Sequence, residues 1–553
     1  GTFLMLCLIS WGRVICMAKK IPSEIETDIL IIGGGIAGIF AAVTARQKGF
    51  EVTLVDKGSP GNSGATPFAD TFCVFDEELG HQRQDWIDTV SFNGEYLNNR
   101  AWLEKMMDHS KERFQDLKDW GVLDDPKFGI MLRKHVIRSK TNVLERVMMT
   151  TLLQVEGRVI GAVGFALDDG KPVTITAKAT IMCAGAGGFK PVGFPIRSLT
   201  HDGDAMAYRA GAEITGKEWI DAHGTPAANP AAGRKQFDMT SHGIFMTGQP
   251  KHGARALNID KEIRVHQGGL PPMAGPPPYA FGALPDGTQA PPPPDMQFKK
   301  RKMIGGSSAG LAVHKAEGIF SQNNTCASNV PGLYAAGDGL GSMLCGTLYA
   351  GIGFSFCGSS VQGACAGEEA SEFAATAELV PISKLKTKSI HETMFEPLER
   401  KTVITPAWVT QIMQNAVIPY YVLYVKEQSR LEAALTNIEF MRDHLAPKMI
   451  ASNPHELRSV HETINMLLNA EMKLRASLFR TESRGTHYRE DFPARNDDDW
   501  LAWIKIKSGA EGMKLIKHPI PDEWRPDERV PYEERYPARF PGELDYRIQQ
   551  AAE

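Results

Sequence analysis

Residues 27–58 read TDILIIGGGIAGIFAAVTARQKGFEVTLVDKG. An apolar run, Ile29 to Ile32, feeds a turn with Gly33, Gly35 and Gly38 in G-x-G-x-x-G spacing. An Ala-rich segment follows, then a second apolar run, Val52 to Val55, that ends in Asp56. This is the grammar of strand, turn, helix and strand. Gly33 permits the tight turn, Gly35 lets a pyrophosphate approach the backbone, and Gly38 lets the helix lie close to the strand. The helix start offers N–H groups and partial positive charge to phosphates. Asp56 falls about 20 residues on, where a carboxylate can accept both hydroxyls of a ribose. The stretch predicts a dinucleotide site on an α/β Rossmann-like domain.

Working outward, the same grammar recurs. The apolar stretch PVTITAKATIMC, from Pro172, runs into Ala184-Gly185-Ala186-Gly187-Gly188, and VPGLYAAGD spans 330–338. A nicotinamide domain needs only the first glycine turn. Three turns so far apart in sequence favour FAD, held by a discontinuous domain with an insertion. Periodic apolar residues predict helix over 84–121, and the strongest helical runs fall in 406–480. Ten prolines between Pro271 and Pro294 exclude regular helix or central strand there.

The bulk numbers exclude other classes. The chain has 553 residues, 42% of them hydrophobic and 23% charged, as in ordinary globular proteins. A net charge of −4 gives no reason to expect nucleic acid as a partner. None of the 8 cysteines forms C-x-x-C, so neither a metal nor an iron–sulfur site is expected, and scattered thiols point to a reducing compartment. The expected location is cytoplasmic, with peripheral attachment to the inner membrane face as the variant. The run GTFLMLCLISWGRVIC is too short to span a bilayer and lacks signal-peptide features; Met17 reads as a natural start, with residues 1–16 as extra sequence.

Five blocks resemble one family, the fumarate reductase / succinate dehydrogenase flavoproteins, whose relatives include L-aspartate oxidase and the adenylylsulfate reductase flavoprotein. They are TDILIIGGGIAGIFAA, DWIDTVSFNGEYLNNRAWLEKM, HDGDAMAYRAGAEITGKEWIDAHGT, VPGLYAAGD and FRTESRGTHYREDFPARNDDDWL. The run VLERVMMTTLLQVEGRVIGAVGF leans toward the adenylylsulfate reductase branch. The resemblance implies an N-terminal extension at 1–24, an FAD-binding domain at 25–222 and 307–395, a Pro-rich capping domain at 223–306, a helical domain at 396–510 and an extended tail at 511–553. It implies FAD contacts from Gly33, Gly35, Ile36, Ala37, Gly38, Asp56, Lys57, Ser63, Gly64, Ala65, Ala184, Gly185, Asp204, Gly337, Asp338 and Ser355.

The chain departs from that family at informative places. Gly64 stands where some members carry a histidine that bonds the flavin, which implies non-covalent FAD. The substrate motif H-P-T reads His223-Gly224-Thr225, and His314 sits near a second histidine position. Tyr349 stands nearest the arginine that clamps a carboxylate, and a tyrosine cannot neutralise one. The proton-donating arginine has no clean counterpart; Arg264 is a candidate, beside Arg255 and Arg301. The expectation is an FAD-dependent oxidoreductase that moves hydride between flavin N5 and an activated C=C or CH–CH substrate, an enone or unsaturated acid other than fumarate. Catalytic roles fall to His223, Tyr349, His314 and Arg264. The alternatives are an adenylylsulfate reductase-like protein, an electron-transfer flavoprotein within a complex and, more weakly, an aspartate oxidase. A ferredoxin-like iron–sulfur subunit is the expected electron donor, and an oligomer is allowed.

Overall fold

The computed structural model describes residues 21–68, 71–123, 128–190, 198–220, 225–226, 245–247, 270–273, 301–304, 316–322, 324–348 and 353–552. Its centre is a seven-stranded sheet. The strands are β1 (Glu24–Ile32), β2 (Val52–Asp56), β3 (Asn142–Glu145), β4 (Val147–Val155), β5 (Arg158–Ala166), β6 (Pro172–Met182) and β7 (Leu333–Ala335). They lie in the order β3-β2-β1-β6-β5-β4, and β7 also pairs with β6. Pairings among β3, β2, β1, β6 and β7 are parallel, whereas β4 and β5 form an antiparallel flap against β6. All of β2 and the Ile29–Ile32 end of β1 are buried, as expected where helices cover both faces of a parallel sheet.

Helix α1 (Ile36–Gln47) is buried from Ile36 to Ala45 and packs along α3 (Phe354–Thr376). Small residues decide this contact. A β-carbon on Gly363 would lie 2.2 Å from the carbonyl oxygen of Ala37, so the two backbones touch directly. The expected helix over 84–121 is two, Arg83–Asn93 and Arg100–Asp119. The break falls at Glu95 and Tyr96, both with positive φ, and Asn99 caps the second helix.

Between Ile220 and Ala316, Leu270–Met273 forms a strand despite Pro271 and Pro272. It pairs only with Arg301–Ile304 among the described residues, so the prolines occupy an edge, where a missing N–H costs no ladder bond. A five-stranded sheet joins Ile214–Thr215, Gly318–Phe320 and Leu340–Gly341 to β8 (Ala502–Gly509) and β9 (Gly512–Pro519). Strand β9 corrects the expected extended tail from 511: that segment is a hairpin arm paired to β8, and a helix at Glu543–Ala552 follows later. Exposed and half-buried positions alternate along Gly512–Lys517, as in a strand with one face toward solvent.

The helical part is led by α4 (Pro454–Phe479). Asn453 caps it, accepting from the N–H groups of His455 and Glu456 at 3.0 Å each, and Pro454 suits the first turn. Leu457, Val460, Leu467 and Leu474 join an apolar core with the neighbouring helices. A second stripe at three- and four-residue steps is polar yet buried: Glu462, Asn465, Asn469 and Lys473. It faces the FAD domain. No described helix is long and apolar enough to cross a membrane.

Candidate flavin-binding site

Strands β1, β6 and β7 are neighbours and parallel, so the three glycine turns seen in sequence leave the sheet side by side at its carboxyl edge, where α/β folds bind ligands. The ladder continues into the turns. Gly33 N–H donates to Val55 O at 2.8 Å, Cys183 N–H to Ile32 O at 2.7 Å, and Ala336 N–H to Met182 O at 3.0 Å. Gly33 has φ +111, and a β-carbon there would sit 2.1 Å from Cys183 O. Conformation and space thus both demand glycine. Gly339 comes within 3.2 Å, counted from a built β-carbon, of Gly185 O, so the second and third turns touch as well.

The start of α1 faces this crevice. Gly35 is its N-cap and offers no side-chain cap; Ile36 N–H donates to Thr66 Oγ1 at 3.0 Å. Thr66 thus takes the first N–H, and those of the first turn beyond Ile36 are left to a phosphate. Asp56 ties the loops around it: Oδ2 accepts from Gly34 N–H at 2.7 Å, and Oδ1 accepts from Gly58 N–H at 2.6 Å and Ser63 Oγ–H at 2.8 Å. Four lone-pair sites serve three donors, so a ribose hydroxyl still has an acceptor. Ala65 lies half-buried on the same loop, one residue before Thr66. On the far side, Ser355 Oγ–H donates to Asp338 Oδ1 at 2.8 Å and Gly337 N–H to Gln362 Oε1 at 3.2 Å. Ala184 and Gly185 follow β6 after Cys183, and Leu199 packs against Gly185 and Gly64. This crevice of bare backbone, uncapped helix end and strand-end carboxylate fits a dinucleotide.

Lys57 and Asp204, expected to touch the cofactor, both have their charged ends engaged inside the protein. Lys57 Nζ donates to Thr200 Oγ1 at 3.0 Å and to Asp202 and Glu462 at 2.7 Å each. Burial opposes its charge, but the two carboxylates outweigh burial and raise its pKa. Asp204 accepts from Lys217 at 2.6 Å, and Lys217 also donates to Glu317 at 2.5 Å. Burial pushes the Asp204 carboxyl up, yet Lys217 holds it below its ordinary value.

His223, Tyr349, His314 and Arg264 lie outside the described residues. The chain leading to Tyr349 is well fixed. Thr347 N–H and Oγ1–H both donate to Gly94 O at 3.2 Å, and Thr486 Oγ1–H donates to Thr347 O at 3.4 Å. Gly485 allows this approach, since its built β-carbon would lie 2.0 Å from Thr347 Oγ1.

The RTESRGTHYRED block holds the structure together behind the crevice. Arg480 donates to Glu218 at 3.1 Å and Glu482 at 2.8 Å, and stacks on Trp219 and Trp500. Arg484 pairs with Glu482 and Asp497 and donates to Tyr536 Oη at 3.0 Å. Arg495 makes a two-pronged pair with Glu95, each contact 2.8 Å. Sequence reading missed Glu218, Glu317, Lys217 and Lys473 as partners. The clue was available only in α4, whose polar residues recur at helical spacing.

With this geometry in hand, the comparisons are specific. Residues 410–532 match the fumarate reductase flavoprotein C-terminal family, and residues 28–130 and 124–258 match an FAD-binding domain family. The chain is 25% identical over 535 residues to one subunit of the fumarate reductase (CoM/CoB) of Methanothermobacter marburgensis, covering 85% of this chain and 95% of that one. It is 26% identical to the fumarate reductase flavoprotein subunit of Mycobacterium tuberculosis, covering 91% and 99%. Among solved structures, E. coli quinol fumarate reductase FrdA aligns with a TM-score of 0.69 at 17% identity, covering 93% and 99%. The adenylylsulfate reductase of Archaeoglobus fulgidus aligns at 0.67 with 19% identity, covering 90% and 96%. Fold, crevice and sequence matches agree: the chain belongs to the fumarate reductase / succinate dehydrogenase flavoprotein family and is an FAD-dependent oxidoreductase.

Proposed function

We propose that the protein holds FAD without a covalent bond and reduces an activated carbon–carbon double bond in an enone or unsaturated acid other than fumarate, or runs the reverse reaction. The observation that carries the first half is Gly64. It sits at φ +67 in the loop after β2, with only Leu199 Cδ2 within reach at 3.7 Å of a built β-carbon. Nothing at that position can form a bond to a flavin carbon. Bound FAD supplies hydride at N5; the protein supplies orientation, charge and protons.

The substrate half rests on Tyr349, two residues beyond the anchored Thr347. A tyrosine there can donate one hydrogen bond to a carbonyl, with His223 as a second donor, and so favour the charge that develops on that oxygen. It offers no counter-ion for a dicarboxylate. His314 and Arg264 are the further candidates for proton supply. Two relatives are named as subunits, which supports an electron-delivering partner, here an iron–sulfur protein. A cytoplasmic location is part of the same reading.

The test is anaerobic. The protein is reduced with a viologen dye and offered enones, unsaturated acids, fumarate and adenylylsulfate in turn, with flavin reoxidation as the readout. Reoxidation by an enone or mono-acid and not by fumarate is expected. Fast turnover of fumarate would overturn the role given to Tyr349.

A further inference from the structure

His201 is an anomaly in this fold. Its side chain is fully buried, and neither ring nitrogen has a hydrogen-bond partner. The nearest acceptors, Asp204 Oδ2 at 3.7 Å and Glu317 Oε1 at 3.5 Å, lie at or past the outer limit of a hydrogen bond. Its backbone is left-handed, φ 59 and ψ 24, at the N-cap of α2 (Asp202–Arg209). A left-handed non-glycine residue and an unpaired buried polar ring each cost stability. Such costs cluster at functional sites.

The ring lies against the second glycine turn. A β-carbon on Gly187 would fall 1.8 Å from His201 Nδ1, so only glycine admits the imidazole there. Behind it, His201, Asp204 and Glu317 approach one another closely enough to share a metal ion, but the Lys217 ammonium occupies the cation's place. The charged groups around the ring are Asp204 on its own helix, Lys217 after Ile214–Thr215, Glu317 before Gly318–Phe320, and Lys473 on α4, 3.6 Å from Glu317 Oε2. Two carboxylates thus face two ammonium groups, and the set is neutral when the ring is neutral. Burial first, then Lys217, holds His201 below its ordinary pKa.

We infer that His201 is a redox-linked proton acceptor: it takes up one proton for each electron pair that enters a flavin seated against the 184–188 turn. This rests on the placement of FAD in the crevice. Negative charge added beside a buried neutral imidazole in a weakly screened interior favours imidazolium. The balance is explicit. Two viologen radical cations each lose one electron and become dications. Bound FAD would accept both electrons and take up one proton of its own. A second proton, drawn from solvent, binds a ring nitrogen of His201. Lys217 keeps the ring neutral before reduction, and Asp204 and Glu317 stabilise its charge afterwards.

The test counts protons. Holoenzyme is reduced anaerobically with viologen radical near neutral pH, in weak buffer with an indicator dye. Linkage predicts about two protons per flavin for the parent protein and about one for His201→Gln. Equal uptake by both overturns the inference. If His201→Gln fails to retain flavin, redox-difference infrared spectra of the histidine-labelled parent decide: imidazolium bands must appear on reduction, and their absence overturns it. A parent protein that takes up no FAD on reconstitution would refute the crevice itself, a separate failure.

Discussion

The ammonium of Lys57 lies 2.7 Å from Glu462 Oε1, joining the end of the second dinucleotide strand to the middle of α4 across 405 positions of chain. Lys190 reaches the other oxygen of the same carboxylate. Only 2% of the Glu462 side chain is exposed, and Lys57 and Lys190 are each 18% exposed, so solvent replaces the lost carboxylate poorly. Removing one member of a buried ion pair leaves charge uncompensated and costs about 3 kcal/mol or more. Glu462→Ala should therefore lower the unfolding midpoint in calorimetry and weaken flavin retention, whereas surface Glu432→Ala should do neither.

Asp56 is a hub of three hydrogen bonds at the end of β2. Asp56→Ala strips acceptors from Gly34 N–H, Gly58 N–H and Ser63 Oγ–H together. Ser63 keeps Ser59 O as a second acceptor, but a buried donor left unpaired, as Gly34 N–H would be, costs about 1–3 kcal/mol. Flavin affinity, followed by fluorescence titration, should fall at least about tenfold, equivalent to 1.4 kcal/mol.

Gly33→Ala should abolish flavin binding. The new methyl would meet Cys183 O at 2.1 Å in a backbone held at φ +111. Relief requires the first two glycine turns to move apart. Purified protein lacking absorbance near 450 nm is the expected result, with circular dichroism to show that the helices persist.

Acid precipitation should leave a colourless pellet and a yellow supernatant. Gly64 offers no side chain for attachment, so colour retained in the washed pellet would contradict non-covalent binding.

His461 predicts a pH dependence of stability. Burial lowers its pKa to about 4, and its Nε2 lies 3.0 Å from Met394 O. The folded state therefore holds a neutral ring where the unfolded chain takes a proton near pH 6.5. This contribution is whole above pH 6.5 and is lost as pH falls toward 4, by at most about 3 kcal/mol. In His461→Gln the unfolding midpoint should fall less steeply over that window.

Much of the crevice was legible because its demands are local. Gly33, Gly35, Gly38 and Asp56 each answer to a turn, a phosphate or a strand end, and spacing alone reveals them. That the three glycine turns emerge from adjacent strands needed the sheet order. Lys57 and Asp204 were assigned by their neighbours in sequence, and their charges turn inward because Glu462 and Lys217 approach from elements far along the chain. Strand β9 was hidden by its lysines, which decorate an edge facing solvent. Long-range charge pairing has no sequence period, so Arg495 with Glu95 could not be read from either residue.

The buried polar stripe of α4 also bears on how the molecule is made. Glu462, Asn465, Asn469 and Lys473 find partners on segments that leave the ribosome well before them: Lys57, Asp202, His201, Lys217 and Trp219. Helix α4 thus emerges onto a waiting, charge-matched seat. Made alone, it would expose a face that is neither apolar enough to associate at random nor satisfied without its mate. Vectorial synthesis, amino end first, suits that arrangement. A permuted chain that produced α4 before β2 would meet the same equilibrium structure by a slower and more aggregation-prone route.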